Sequence, residues 1–210
     1  IECIKICNAG TCVLIGEQCI SAAHLSLDSM RSIYYTYAKE REIPLWIFEG
    51  RDWYVTDVDQ FVKRESTILL HQPKIVDFEE LCEQWQQEGR KPNKLLLAGD
   101  AGQVREMHQD MLHHQYEEIR MARSAETYLE IFPKGIDKGT ALLAVCDALG
   151  IGLEETIAIG DQELDLPMIV AAGVGIAMGN AIPELKQKAD FVTKTNNEAG
   201  VACALERYID

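Results

Sequence analysis

The sequence predicts an α/β protein: a doubly wound parallel sheet interrupted by an inserted α+β module. Three observations carry this. After Pro133, short apolar runs alternate strictly with helical periodicities, the pattern of right-handed βαβ crossovers in a parallel sheet. Before it, from about Cys12, the apolar runs are longer, are broken by turn residues and come in pairs, as hairpins do, with helical stretches between them. Ahead of both, the first residues form an apolar run that ends at Asn8-Ala9-Gly10. The expected division is a core of residues 1–11 and 135–210, with residues 12–134 inserted between its two parts.

Taken in order, "IECIKICNAGTCVLIGEQCI" reads as strand, turn and strand, broken at Asn8-Ala9-Gly10 and at Gly16. Ser26 can cap a helix over Ser26–Arg41, where Leu27, Met30, Ile33, Tyr34, Tyr37 and Ala38 fall on one face. "IPLWIFEG" and "DWYVTD" are strands around a turn at Gly50, and a helix follows over Asp57–Leu70. Next come a helix over Asp77–Glu88, the strand "KLLLAGD", a helix from Gly102 to about Tyr116, and the strands "EIRMAR" and "TYLEIFP". In the last part, helices over Lys138–Leu149, Glu163–Ala172, Pro183–Ala189 and Glu198–Tyr208 alternate with strands at Thr156–Ile159, "VGIAM" and "FVT". No internal repeat or low-complexity segment interrupts the pattern.

At 210 residues and 47% apolar content the chain can bury a sizeable core. Its 34 acidic against 20 basic residues give a formal charge of -14, which repels phosphate backbones and anionic lipid. Neither nucleic acid nor membrane is the expected partner. The seven cysteines form no C-x-x-C pair. Four of them (Cys3, Cys7, Cys12, Cys19) sit among apolar residues as expected fillers of buried strands, so a reducing, cytoplasmic setting is expected. No run of eighteen apolar residues and no signal-peptide pattern occurs.

Chemistry concentrates at "TIAIGDQELDLPM", where Asp161, Glu163 and Asp165 follow a buried strand. In open parallel sheets the ligand site lies outside the carboxyl ends of the strands, and Gly160-Asp161 falls there. If a helix begins at Gln162, Asp161 and Asp165 share one side of its first turn and suit a hard cation such as Mg²⁺; the same residues would also serve as caps of a helix dipole. Lys138 starts a helix and there opposes the dipole, a mismatch that serves an anion, whether a phosphate or the nearby carboxylates, unless the ammonium simply sits in water. Asn180, after "VGIAM", can reach the same crevice or serve a turn. The glycines at 173, 175 and 179 do not have G-x-G-x-x-G spacing, so a dinucleotide loop is not expected. Asp57-Val58-Asp59 is read as a helix start.

Together "GIDKGTAL", "IAIGDQELDLPMI", "AGVGIAMGNAIPELKQKADFVT" and "NNEAGVACALERYI" resemble the carboxyl-terminal half of Cof-type phosphatases of the haloacid-dehalogenase-like superfamily. The preceding elements resemble its class IIB α+β cap, and "NAG" resembles the Asn-Gly-Ala that leads into that cap. The resemblance implies a Rossmann-like core with an inserted cap, and a Mg²⁺-dependent phosphomonoesterase of small phosphorylated metabolites, often sugar phosphates. It implies that Lys138 holds the nucleophile and the transferring phosphoryl group, that Asp161 binds Mg²⁺ with Asp165 as its partner, and that Asn8 and Asn180 contact substrate. Two departures stand out. Leu164 occupies the position before Asp165 where the family has Asn, and the family's nucleophile segment Asp-x-Asp-Gly-Thr occurs nowhere in these 210 residues. The core is therefore expected to be N-terminally incomplete, its nucleophile lying ahead of Ile1, and the 210-residue chain alone is expected to be inactive. The alternative is a non-catalytic relative that binds a ligand or partner.

Overall fold

The computed structural model describes residues 4–208, so the expectation for Cys3 lies outside the described residues. The chain divides into two compact units, residues 1–21 with 136–210, and residues 22–135.

The first strand β1 (Ile4–Cys7) turns at Asn8–Gly10 into β2 (Cys12–Ile15) and then β3 (Gln18–Ala22), a three-stranded sheet in that order with β1 antiparallel to β2. The inserted segment therefore begins about ten residues later than the sequence pattern placed it. The "NAG" turn is the loop of a hairpin whose second strand pairs back on the first, Ile4 opposite Ile15 and Cys7 opposite Cys12, so β2 and β3 stay with the core unit. Val13 packs with Ala141 and Val145 of that unit. Of the early cysteines, Cys12 is buried, Cys7 is half-buried and Cys19 is exposed, so the filler role holds for Cys12 alone among those described.

The second unit opens with α1 (Leu27–Ile33), capped by Ser26 Oγ accepting the Ser29 N–H at 3.0 Å. The helix widens to a π turn over Tyr34–Ala38 and tightens to a 3-10 turn over Lys39–Arg41. Strands β4 (Leu45–Glu49) and β5 (Asp52–Val55) form a hairpin. Then come α2 (Gln60–Leu69), the short strand β6 (Lys74–Ile75), α3 (Phe78–Glu88), β7 (Lys94–Ala98), α4 (Ala101–His114), β8 (Ile119–Ala125) and β9 (Tyr128–Pro133). Helix α2 starts three residues after Asp57 because Asp59, not Asp57, accepts the Val62 N–H as its cap. Strand β6, unread in the sequence, is only two residues long and pairs parallel with β5.

These strands form one six-stranded sheet, ordered β6-β5-β4-β7-β9-β8 and antiparallel except for the β5–β6 pair. Runs such as "LWIF" and "KLLLA" lack an in/out alternation because both faces are covered. Leu45, Ile47, Leu95 and Leu97 pack against α1, α3 and α4, while Trp46 and Leu96 pack with Trp53 and with Val62 of α2.

The chain returns to the first unit through α5 (Lys138–Leu149), β10 (Ile157–Gly160), α6 (Leu166–Ala171), β11 (Val174–Ala177), α7 (Pro183–Lys188), β12 (Phe191–Val192) and α8 (Gly200–Leu205). Strands β10, β11 and β12 are parallel, with Gly160 opposite Ala177 and Ala177 opposite Val192. Ala158, Ile169, Ala177 and Leu185 pack the connecting helices onto this sheet. The carboxyl ends of three strands are thereby aligned, and the loops that leave them carry Asp161, Asn180 and Asn196. Among the described residues, no helix is long and apolar enough to cross a membrane.

Candidate active site

The turn after β10 is built around Asp165. Residues Glu163–Asp165 form a 3-10 turn rather than the first turn of an α-helix, and α6 begins only at Leu166. Asp161 and Asp165 therefore meet by a different route from the shared helix face expected from their spacing. The chain folds back so that Asp165 Oδ2 accepts the N–H groups of Asp161 at 2.9 Å and Gln162 at 3.0 Å. Those are the first free donors after a parallel strand, and a buried carboxylate satisfies both at once.

Asp165 is 6% exposed. A Cβ built on Gly160 would lie 2.4 Å from Asp165 Cβ and 2.8 Å from its Cγ, so the carboxylate lies flat against a residue that has room only for hydrogen.

Lys138 enters from the amino end of α5. Asp137 caps that helix, its Oδ1 accepting from Gly139 and Thr140, both at 2.9 Å, which leaves Lys138 as the first helical residue with its ammonium directed to Asp165 Oδ1. The pair is asymmetric, with 31% of the Lys138 side chain exposed against 8% for Asp165. Burial alone would raise the Asp165 pKa. The Lys138 ammonium and the Gln162 and Asp161 N–H groups overcome that and hold it below the usual carboxylate value of 3.8.

Asn180 closes the other side. Its Nδ2 donates to Asp161 Oδ2 at 3.0 Å, and its Oδ1 accepts the Asn196 N–H at 2.9 Å. Lys138, Asp165, Asp161 and Asn180 thus form one connected chain at the carboxyl edge of the parallel strands. Asn8 approaches from the β1–β2 hairpin. It has φ 50°, Ala9 φ 55° and Gly10 φ 103°, and a Cβ built on Gly10 would lie 2.3 Å from the Asp137 carbonyl oxygen and 3.0 Å from the Lys138 nitrogen. The hairpin loop is pressed against the residue that begins α5, with its own Thr11 N–H and hydroxyl closing onto the Asn8 carbonyl.

Among the described residues no group of three or more His, Cys, Asp or Glu is placed to hold a metal. Both oxygens of Asp165 already accept hydrogen bonds from the loop and the lysine, so in this geometry Asp165 shapes the turn. Asp161 is the carboxylate at the rim. That set fits Mg²⁺ in the way the ion is commonly held, by one carboxylate, waters and a substrate phosphate, and does not fit an all-protein cage.

The sequence analysis gave no site role to Asp137 or Glu198, and it placed Gly160 at the strand end without reading its contact with Asp165. The Asp-x-x-Thr spacing of a capping box marks Asp137, and Thr-x-x-Glu marks Glu198.

The haloacid dehalogenase-like hydrolase family model matches residues 1–205. The chain belongs to this family. It is 30% identical over 198 residues to the putative phosphatase YxeH of Bacillus subtilis (strain 168), a match covering 92% of this chain and 70% of that protein. It is 37% identical over 115 residues to the 5-amino-6-(5-phospho-D-ribitylamino)uracil phosphatase YwtE of the same organism, covering 55% of this chain and 40% of YwtE. Other curated relatives are matched over 31% to 44% of their own length, so the chain spans less than half of each. A haloacid dehalogenase-like hydrolase from Bacteroides thetaiotaomicron superposes with a TM-score of 0.81 at 30% identity, covering 95% of this chain and 74% of that one. The chain is thus a member of a hydrolase family with phosphatases among its relatives, on the Rossmann-like α/β fold of that family.

Low pH should weaken the turn after β10. A carboxylate whose folded pKa lies below its unfolded value contributes stability that is present above the unfolded value and is lost as the pH falls through the folded one. In urea denaturation, the advantage of the wild type over Asp165→Asn is expected to be full at pH 7 and to shrink as the pH drops below about 4. A difference that does not change down to strongly acidic pH would contradict the pairing of Asp165 with Lys138.

Proposed function

We propose that the chain is part of a Mg²⁺-dependent phosphomonoesterase that acts on small phosphorylated metabolites, with sugar phosphates the favoured class, in the cytoplasm. The observation that carries this is the connected chain Lys138–Asp165–Asp161–Asn180, set at the carboxyl ends of parallel strands in a hydrolase family with phosphatase relatives.

Asp161 would hold the Mg²⁺, which when bound polarises a phosphate oxygen and offsets charge in the transition state. Lys138 is the group of this chain suited to the phosphate itself. Its ammonium is anchored by Asp165 yet keeps part of its surface in water, so a phosphate oxygen can approach it without breaking the ion pair. Asp165 keeps the Asp161–Gln162 turn closed around that position, and Asn180 fixes the Asp161 carboxylate. The Asn8 hairpin lies against the start of α5 and brings a backbone-rich loop next to Lys138.

Covalent phosphoryl transfer also needs an attacking carboxylate and a second one for proton transfer. None of the residues above has that role, and the Asp-x-Asp-Gly-Thr segment that would supply them does not occur in these 210 residues. A second reading, a non-catalytic relative that binds a ligand or partner, is favoured by Leu164, which stands where the family resemblance implies Asn, and by the same missing segment.

Phosphate release from a generic aryl phosphate separates the two. The 210-residue chain is expected to show none above background with or without Mg²⁺, while a version extended ahead of Ile1 through an Asp-x-Asp-Gly-Thr segment is expected to hydrolyse the ester only with Mg²⁺. Robust turnover by the 210 residues alone would place the nucleophile inside them. An inactive extended chain would favour the non-catalytic reading.

A further inference from the structure

Asn180 is exposed, and an exposed side-chain amide ordinarily samples several rotamers. Here its orientation is fixed from outside the site. The Asn196 N–H can only donate and the Asp161 carboxylate can only accept, so the amide has one arrangement that serves both: Oδ1 toward Asn196 and Nδ2 toward Asp161. The fixed point is therefore the main chain of Asn196, which lies in a short 3-10 turn, Asn196–Glu198.

The Glu198 and Gly200 N–H groups close that turn, both donating to Thr195 O at 3.0 Å, and one side chain ties it further. The Glu198 carboxylate reaches back to the residue before the turn, where its Oε2 accepts the Thr195 hydroxyl at 2.6 Å and the Thr195 N–H at 3.3 Å. These bonds hold the Glu198 pKa below its usual value, so the carboxylate stays ionised in its capping role. The flanks are pinned independently. The Gly179 N–H donates to Lys194 O at 2.9 Å, the Lys186 ammonium to Gly179 O at 2.7 Å, and the Thr193 hydroxyl to Gly200 O at 2.7 Å. Between these fixed points the chain makes its turn through Ala199 at φ 55°, a conformation that strains a residue with a Cβ and persists where other bonds over-determine it.

Resting on the proposed role of Asp161, we propose that Glu198 is a positioning residue: through the Thr195 cap it sets the Asn196 N–H, which orients the Asn180 amide, which in turn holds the Asp161 carboxylate. A purely structural cap would lower stability and leave the Asn180 amide where it is.

The test reads the amide directly, in the 210-residue chain, by ¹⁵N NMR of the Asn180 side chain, assigned with Asn180→Ala, together with titration by Mg²⁺ alone. In Glu198→Ala the two Asn180 amide protons are expected to move to positions typical of a solvated amide and to lose protection from exchange, and Mg²⁺ affinity is expected to fall about tenfold, the lower end for outer-shell partners. Glu198→Gln, whose side-chain carbonyl can still accept from Thr195, is expected to restore both. Unchanged Asn180 resonances in a folded Glu198→Ala protein would overturn the proposal. If Glu198→Ala does not fold, Thr195→Val, which removes only the hydroxyl bond, gives the same readout, and unmoved Asn180 resonances there would also overturn it. If no variant and no wild type binds Mg²⁺ while the amide still follows Glu198, the positioning relay stands and the assignment of Mg²⁺ to Asp161 in the 210-residue chain falls.

Discussion

Replacing Lys138 with methionine is expected to cost about 2 kcal/mol of stability and, in a catalytically competent form of the protein, to lower phosphate release by about 10²–10³-fold. The stability loss follows from what is left behind. Asp165 stays buried with two N–H donors but no cation, and stripping one partner from a buried pair costs about 3–5 kcal/mol, against at most about 1 for an exposed pair. With 31% of the lysine side chain in water, this pair falls between those limits. The loss of rate has a separate origin, the removal of the charge nearest the proposed phosphate position.

A double-mutant cycle tells the two apart. Lys138→Met with Asp165→Asn is expected to recover part of the stability, because the stranded charge is gone, and none of the activity. If Lys138→Met proved as stable as the wild type in urea denaturation, the ion pair would have no structural weight.

The second large effect concerns a residue with no side chain. Gly160→Ala is expected to destabilise the chain by about 3 kcal/mol, near the upper end for overpacking. The new methyl would sit 2.4 Å from Asp165 Cβ and 2.9 Å from its Oδ2. Ordinary contact needs about 1 Å more, and β10 cannot retreat, because Gly160 is paired with Ala177 and its carbonyl accepts the Met178 N–H at 2.9 Å. Asp165 must move instead, and it then gives up the Asp161 and Gln162 N–H groups and its alignment with Lys138. Thermal denaturation measures the loss. A Gly160→Ala protein with wild-type stability would show that the turn relaxes without releasing Asp165.

Much of the architecture was legible in the sequence because it depends on local signals. The bounds of α5 follow from a helical periodicity that begins at Lys138 and ends before Gly150, and the parallel strands β10 and β11 follow from apolar runs separated by helix-length segments. Lys138, Asp161, Asp165 and Asn180 could be singled out because strand ends and helix starts mark where a parallel sheet gathers side chains, whatever the details of packing.

What the sequence could not supply was decided by contacts distant along the chain. That β2 and β3 remain with the core unit depends on Cys12–Ile15 pairing back onto Ile4–Cys7, and apolar runs do not state their partners. That Asp161 and Asp165 meet through a capping turn, and not on one helix face, depends on the unpaired N–H groups that follow β10 and on the bare face of Gly160. The spacing of four residues suits either arrangement. The sequence by itself determined which charged groups would gather at the sheet edge. Only the tertiary structure assigned their tasks, giving Asp165 to the loop and the lysine, and Asp161 to the rim, because a carboxylate's task depends on which donors surround it.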